Sequence, residues 1–230
     1  MTGNPKTAYL FDLDGTLCNT EPLHFRALKH VLASVGYALS EQVFAQHCVG
    51  QTTVTGIRAL LPHLDEALCL DLANRTEARF RETSHDLMPL PGLHEVLARI
   101  AGSPTALVTN APWEDVHHML GALRLPHRFD TIVVAADLAR AKPDPLPYLE
   151  ALRRLDCEAN DAVAFEDSIA GITSATGAGI FTVGVETSLP AVRLIQAGAN
   201  LSVKDFADPA MGRIYDKSCK VAGTSALQGL

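Results

Sequence analysis

The hydrophobic pattern divides the chain into one strand, a helical stretch and a longer alternating stretch. The apolar run at residues 8–11 ends at Asp12 and predicts a buried strand. After it, apolar positions recur at helical spacing and predict four helices, at residues 20–36, 41–47, 53–61 and 65–84. We therefore predict that an all-helical insertion, residues 19–88, follows the first strand.

The stretch after residue 88 alternates between helices and buried strands. Two prolines at residues 88–92 indicate the linker that returns to the sheet. The pattern then predicts strands at residues 105–109, 131–136, 162–166, 180–185 and 201–203. It predicts helices at residues 93–100, 112–123, 144–155, 169–178 and 189–197. This alternation predicts an α/β fold, in which a doubly wound parallel sheet is built from residues 1–18 and 89–208. Residues 209–230 have little apolar periodicity and are predicted to form a loosely ordered tail.

Composition narrows the class of protein. The 230 residues carry a formal net charge of −7, with no broadly basic segment, which argues against a nucleic-acid or anionic-membrane binder. The chain has no signal peptide pattern and no run near the roughly 20 apolar residues of a membrane span, so we expect a cytoplasmic protein. The 5 cysteines form no Cys-x-x-Cys pair, which favours reduced thiols. Nothing in the sequence indicates the oligomeric state.

The first candidate chemistry lies where the first strand ends. Asp12 and Asp14 are two residues apart, so they point to the same side while strand geometry lasts, and Leu13 faces the core. Two neighbouring carboxylates either share a proton or bind a hard cation. Gly15 allows a sharp turn close to an anion, and Thr16 adds a hydroxyl group. This combination is typical of a phosphoryl-transfer site.

Three further polar clusters follow later predicted strands. Thr109 and Asn110 suit phosphate oxygens at a helix start, although ordinary helix capping is the favoured explanation when this motif is taken alone. Lys142 precedes a proline, which aims its ammonium group, whereas most lysines are simply solvated. Glu166 and Asp167 are two adjacent acids after a buried strand, and such acids are costly unless a cation binds them. Because parallel strands end at one edge of the sheet, we expect the four clusters to meet there.

These four motifs, in this order, resemble those of the haloacid dehalogenase superfamily. Residues 21–27 and 166–171 are similar to signatures of its branch with a small helical cap, which includes β-phosphoglucomutases and phosphoglycolate phosphatases. The resemblance implies a Rossmann-like core with residues 19–88 as the cap domain. It also implies a Mg²⁺-dependent enzyme that acts on a small phosphorylated metabolite through an aspartyl-phosphate.

The resemblance further implies roles for individual residues. Asp12 is the nucleophile, and Asp14 is the general acid and then the general base. Mg²⁺ is held by Asp12, the backbone carbonyl of Asp14, and Asp167, with Glu166 in or near its shell. The resemblance also assigns residues to catalysis or to binding of the transferring phosphate and the substrate around it. They are Leu13, Gly15, Thr16, His24, Thr109, Asn110 and Lys142.

The sequence favours a phosphatase and keeps a mutase as the alternative. His24 falls 12 residues after Asp12, as does the acid/base-assisting histidine of β-phosphoglucomutases. Those mutases also grip a second phosphate with an arginine and a lysine, which residues 50–53 and 74–76 lack at the corresponding places. We therefore expect hydrolysis of a small phosphomonoester, such as a sugar phosphate or phosphoglycolate. A phosphoaccepting receiver-type switch and an inactive binding scaffold are less favoured.

Overall fold

One six-stranded parallel sheet forms the centre of the computed structural model, which describes residues 7–215. Its strands are β1 (Ala8–Phe11), β2 (Thr105–Thr109), β3 (Thr131–Val134), β4 (Ala162–Glu166), β5 (Phe181–Val185) and β6 (Leu201–Val203). Their order is β3-β2-β1-β4-β5-β6, and every neighbouring pair is parallel. Leu10 lies opposite Ala106 on one side and Ala164 on the other. The carboxyl ends of β1, β2 and β4 are therefore side by side.

Helices cover both faces of this sheet. Those of the sheet domain are α5 (Leu93–Arg99), α6 (Trp113–Ala122), α7 (Leu146–Leu155), α8 (Ile169–Gly177), α9 (Ala191–Gln196) and α10 (Gly212–Tyr215). Tyr9 and Phe11 pack into one hydrophobic layer, whereas Ala8 and Leu10 pack into the layer on the other face. Burial on both faces explains why the strands are continuously apolar. The predicted doubly wound parallel sheet is confirmed.

The helical insertion has a hydrophobic cluster of its own. It contains α1 (Glu21–Ala33), α2 (Glu41–His47), α3 (Thr53–Leu60) and α4 (Glu66–Thr83). Side chains of Ser40, Thr52 and Asp65 cap the last three of these helices. The cluster is built from residues of all four helices, including Leu28, Leu32, Phe44, Ile57 and Leu72. None of the helices in residues 7–215 is long and apolar enough to cross a membrane.

The two linkers between the sheet and the insertion run side by side. Cys18 forms an antiparallel bridge with Pro89, and the amide of Leu90 donates to the carbonyl of Leu17 at 2.9 Å. The chain thus leaves the sheet and returns to it at one place. We keep the boundaries at residues 18/19 and 88/89 as a proposal for the division into domains.

The predicted loosely ordered tail requires a correction at its start. Residues Pro209–Met211 form a 3-10 turn that leads into α10. Met211 and Ile214 are 4% and 5% exposed and pack into the main hydrophobic layer. Met211 ends the 3-10 turn and Ile214 lies in α10, and a helical segment this short cannot be detected by a periodicity argument. Residues 216–230 lie outside the described residues.

Candidate active site

The four predicted polar clusters meet at one cleft between the sheet and the helical insertion. The cleft has a volume of about 300 Å³, within the range of small-molecule sites. Its floor lies at the carboxyl ends of β1, β2 and β4, and its other walls include residues of α1, α2, α3, α4 and α6. Of the residues predicted for the site, it is lined by Asp12, Asp14, Gly15, His24, Thr109, Asn110, Lys142 and Asp167.

Lys142 connects two of the acids. Its Nζ donates to Oδ1 of Asp12 at 2.7 Å, to Oε1 of Glu166 at 2.5 Å and to the carbonyl of Val108 at 2.7 Å. The side chain is only 3% exposed. Burial alone would lower the pKa of Lys142, but the charges of Asp12 and Glu166 outweigh it and raise the pKa. Lys142 is therefore a fixed positive charge beneath the cleft.

Three buried carboxyl groups lie close enough to share a cation. One oxygen each from Asp12, Glu166 and Asp167 falls within 4.8 Å of the others. Burial raises the pKa of Asp12 to about 8 against the opposing effect of Lys142, and burial also raises the pKa of Asp167 well above its usual range. The cluster resists full ionisation because Lys142 supplies too little positive charge. Oxygen donors in such surroundings fit a hard divalent cation such as Mg²⁺.

Asp14 is engaged by the helical insertion. Its Oδ1 accepts a hydrogen bond from the Thr20 hydroxyl at 2.8 Å and lies 3.0 Å from Nε2 of His24. Burial opposes ionisation of Asp14, but the hydrogen bonds from His24 and Thr20 lower its pKa. Conversely, burial disfavours the charged form of His24, and Asp14 overcomes this and raises the pKa of His24 to about 9. The pair holds one proton at neutral pH.

The contacts of Asp14 refine two expectations. The cation-binding group found among the described residues does not include the Asp14 carboxylate, so the predicted metal contact of Asp14 rests on its backbone carbonyl. Thr20 stands at the N-terminus of α1, where a hydroxyl commonly caps the helix, but it makes no side-chain capping bond, because its hydroxyl is directed to Asp14.

The predicted phosphate contacts of Thr109, Asn110 and Thr16 stay predictions, and each side chain has its own surroundings within the protein. Thr109 Oγ1 accepts from the amide of Ala111 at 2.9 Å. Asn110 exchanges two hydrogen bonds with the Lys142 backbone, at 3.3 and 3.1 Å, and so positions that segment. Thr16 is fully buried, and its hydroxyl has no hydrogen-bond partner among the described residues and lies away from the cleft. These short polar side chains are satisfied by the backbone or enclosed by the turn.

Two glycines make room for the acids. Gly15 has a φ of +74°, and a Cβ there would lie 1.9 Å from Oδ2 of Asp167. A Cβ on Gly171, in the first turn of α8, would lie 1.8 Å from Oε2 of Glu166. Only glycine fits at either position. The anion that Gly15 admits is thus a carboxylate of the protein itself.

Sequence reasoning missed two partners of these acids. The Tyr148 hydroxyl, from α7, donates to Oε1 of Glu166 at 2.7 Å. The Ser188 hydroxyl donates to Oδ2 of Asp167. Ser188 follows β5, so the strand-end rule that found the other clusters could have found it. Nothing in the local sequence around Tyr148 indicates its contact.

Gly171→Ala is expected to destabilise the protein by about 1–3 kcal/mol, because Glu166 is held by Lys142 and Tyr148 and has little freedom to withdraw. The matched control is Gly121→Ala on α6, where an added Cβ meets nothing within 4 Å. That change should stabilise the helix by up to about 1 kcal/mol. Thermal unfolding of both variants measures the difference, and equal melting temperatures would contradict the close packing at Gly171.

Known proteins are similar to this chain in both sequence and fold. The sequence model of the haloacid dehalogenase-like hydrolases matches residues 9–185. A phosphorylated carbohydrates phosphatase of Thermotoga maritima is 34% identical over 203 residues, covering 86% of this chain and 94% of that protein. A β-phosphoglucomutase of Bacillus subtilis is 26% identical over 219 residues, covering 91% and 94%.

A crystal structure extends this similarity to three dimensions. A CbbY variant from Rhodobacter sphaeroides, in complex with xylulose-(1,5)-bisphosphate, superposes with a TM-score of 0.79 and 27% identity, covering 88% of this chain and 95% of that one. The family match spans most of the sheet, the whole helical insertion and all four polar clusters. The chain therefore belongs to the haloacid dehalogenase-like hydrolases and is a phosphoric monoester hydrolase.

Proposed function

We propose that this protein is a Mg²⁺-dependent phosphatase that hydrolyses a small phosphomonoester through an aspartyl-phosphate on Asp12. The observation that carries the proposal is that Asp12 and Asp14 have different hydrogen-bond partners. Lys142 donates to Asp12, whereas Thr20 and His24 contact Asp14. One carboxylate is thereby suited to nucleophilic attack and the other to proton transfer. Such a division of roles is what a two-step phosphate transfer requires.

In the first step, an oxygen of Asp12 attacks phosphorus while the bond from phosphorus to the leaving oxygen breaks. The leaving oxygen takes a proton from Asp14, and the Asp14–His24 pair is the store of that proton. In the second step, Asp14 accepts a proton from water, whose oxygen attacks phosphorus and releases Asp12. Inorganic phosphate is the product, and both acids return to their starting states.

Positive charge is needed because a phosphate dianion must approach several carboxylates. Lys142 supplies one such charge. Asp12, Asp167 and the Asp14 backbone carbonyl would hold Mg²⁺, with Glu166 beside it, and when bound the ion neutralises the phosphate and the nucleophile. The amide of Leu13 is proposed to hold a phosphate oxygen, whereas the amide of Gly15, also predicted for this role, donates to the carbonyl of Cys18 at 2.9 Å. His24 is proposed to position Asp14.

Within residues 7–215, Lys142 is the only lysine or arginine that lines the cleft. Two arginines of the insertion, Arg58 and Arg75, could in principle substitute for the missing anchor of a second phosphate, but they pair with the exposed acids Glu66 and Asp71. A bisphosphate would therefore lack a second positive anchor. This supports a phosphatase. The contact between His24 and Asp14, together with the mutase among the relatives, keeps phosphosugar isomerisation as the second candidate.

The phosphatases among the relatives support a phosphorylated sugar or a similar small metabolite as substrate. The test is phosphate release from hexose, pentose, glycolate and glycerol phosphates, with Mg²⁺ and with a chelator. We expect Mg²⁺-dependent release from at least one ester. Isomerisation of β-glucose 1-phosphate without net phosphate release would select the mutase. The cytoplasmic location stays a prediction outside this test.

Mg²⁺ binding is expected to strengthen as the pH rises from 6 to 8. The folded-state pKa of Asp12 is raised to about 8, so a cation must displace a proton below that pH. For one displaced proton, the apparent affinity should increase about tenfold per pH unit. The raised pKa also means that the metal-free protein loses stability as the pH rises towards 8, so Mg²⁺ should raise the melting temperature more at pH 8 than at pH 6. Calorimetric titration at both values measures this, with Asp12→Asn as the variant that flattens the dependence. Equal affinities at pH 6 and 8 in the wild type would contradict it.

A further inference from the structure

Two acids from different segments of the chain meet at the side of the cleft. Glu77 lies on α4 of the helical insertion, Asp115 lies on α6 of the sheet domain, and these two helices pack against each other. Both residues line the cleft, where Asp115 is 1% exposed and Glu77 is half-buried. The proposed reaction uses neither of them, so their burial at this boundary needs another explanation.

One proton accounts for the hydrogen bonding of this pair. Thr53 donates to Oε1 of Glu77, and Arg81 donates to Oδ1 of Asp115. The other two carboxyl oxygens are buried and accept no hydrogen bond from an N–H or hydroxyl group of residues 7–215. Asp115 instead hydrogen-bonds with the Glu77 carboxyl. Two carboxyl groups can bond to each other only through a proton that one of them carries, so the pair holds one proton between its two remaining oxygens.

This shared proton joins the helical insertion to the sheet domain. Helix α4 contacts Asp115 through two bonds, one from Arg81 and one through Glu77. The guanidinium group keeps its charge at every pH at which proteins fold, whereas the bond between the acids exists only while the proton is present. Once the proton is lost, two carboxylates face each other with one guanidinium group to offset them. Their repulsion then favours separation of α4 from α6.

The surroundings of the pair determine the pH at which the proton leaves. Burial, followed by the hydrogen bond and the charge of the Glu77 carboxyl, raises the pKa of Asp115 to about 8, against the opposing effect of Arg81. The proton is therefore held at neutral pH and is lost in mildly alkaline solution.

Two histidines also lie near this boundary, and their titration must be separated from that of the pair. His24 of α1 interacts with the charges of both acids and is bonded to Asp14. His118 of α6 faces His85, which follows α4, with 5.6 Å between the ring centroids. These histidines stay in place in a variant that alters only Glu77, so such a variant isolates the effect of the shared proton.

We propose that the proton shared by Glu77 and Asp115 is a latch, which holds the helical insertion against the sheet domain until rising pH removes it and the cleft opens. The paired linkers at residues 17–18 and 89–90 are the hinge of this motion. In the open form, water reaches both acids, and the pKa of Asp115 returns towards the ordinary value of about 4. The closed form thus binds a proton that the open form releases. The ratio of closed to open molecules therefore falls by up to about tenfold per pH unit as the pH rises towards 8.

Glu77→Gln tests the latch because it replaces the proton with a permanent donor. The carbonyl oxygen of Gln can still accept from Thr53, and its amide can donate to Asp115 at any pH. Small-angle X-ray scattering of the full-length protein in chelator, at pH 6 and pH 8, measures opening without metal or substrate. The radius of gyration of the wild type should be larger at pH 8, whereas that of Glu77→Gln should keep the wild-type value of pH 6 under both conditions. Asp115→Asn supplies the donor from the other side and should behave in the same way.

Chemical denaturation at the same two pH values follows the shared proton itself. The folded wild type holds this proton and the unfolded chain does not, so its stabilising effect is full below the ordinary pKa of aspartate and is lost as the pH rises towards 8. Relative to Glu77→Gln, the unfolding constant of the wild type should therefore increase by up to about tenfold per pH unit between pH 6 and pH 8.

The matched control is Glu82→Gln, because Glu82 is an exposed acid on the same helix that pairs with Arg79. This variant should expand between pH 6 and pH 8 as the wild type does. A wild-type radius that is the same at both pH values would overturn the latch, as would a Glu77→Gln protein that expands as much as the wild type. If neither amide variant folds, the wild-type radius still decides, since it must rise for the proposal to stand. None of these outcomes depends on phosphatase activity.

Discussion

Asp12→Asn is expected to lower kcat for phosphate release by at least about 10⁴-fold, because the amide removes the nucleophile. Asn has nearly the same shape as Asp, so the fold should survive the change. Lys142 also keeps a partner, since its Nζ still donates to Glu166. The loss should therefore come from chemistry and not from unfolding. The measurement is steady-state phosphate release, with thermal unfolding of the same samples.

A labelling experiment separates the nucleophile from a residue that only binds metal. Wild-type protein quenched in acid during turnover of a ³²P-labelled ester should carry acid-stable, alkali-labile phosphate, and Asp12→Asn should carry none. Asp71→Asn is the matched control, because Asp71 is an exposed acid on α4 that pairs with Arg75. It should keep both the label and the activity. Residual activity above a tenth of wild type in Asp12→Asn would show that another group attacks phosphorus.

Lys142→Met is expected to cost about 3–5 kcal/mol of stability, because it leaves two buried carboxyl groups without their shared cation. For a chain of this size, that loss corresponds to a fall of roughly 10 °C in Tm. Activity should fall about 10²–10³-fold in addition, since a fixed charge beside the transferring phosphate is lost. Thermal unfolding in the presence of a chelator measures the first effect without contribution from metal.

Two further variants test the electrostatic explanation for Lys142. The double variant Lys142→Met/Glu166→Gln removes the charge of Glu166 together with that of Lys142. Its loss of stability should therefore be smaller than that of Lys142→Met alone. Lys204→Met is the control, because Lys204 is exposed on the surface, and its effect should stay within about 0.5 kcal/mol. If Lys142→Met proves as stable as the wild type, burial of the acids does not depend on Lys142.

The position of the site could be predicted from sequence because it follows from the sheet. β1 lies between β2 and β4, so polar residues after each of these strands must meet at one edge. Lys142 was predicted to point into the site, and its contact with Asp12 agrees with that prediction. Strand alternation placed the Leu13 side chain in the core, where it is fully buried.

The partners of the site residues could not be predicted in the same way. Thr20, Tyr148 and Asp115 reach the cleft from elements whose approach depends on tertiary packing, and no local pattern records that packing. The hydrogen-bond partners of short polar side chains could not be predicted either. Thr109 accepts from the amide of Ala111, which leaves its hydroxyl hydrogen for another acceptor, and Asn110 binds the backbone of Lys142. Residue type alone does not decide between such partners.

The paired linkers have a consequence for how such enzymes diverge. Because Leu17 bonds to Leu90 and Cys18 lies against Pro89, the helical segment has adjacent ends and can be replaced without altering the connectivity of the sheet. Selection can then change substrate preference in one exchangeable module and conserve the chemistry in the other. The exchange has one constraint, however. A transplanted module must bring a side chain compatible with Asp115, which stays behind with the sheet.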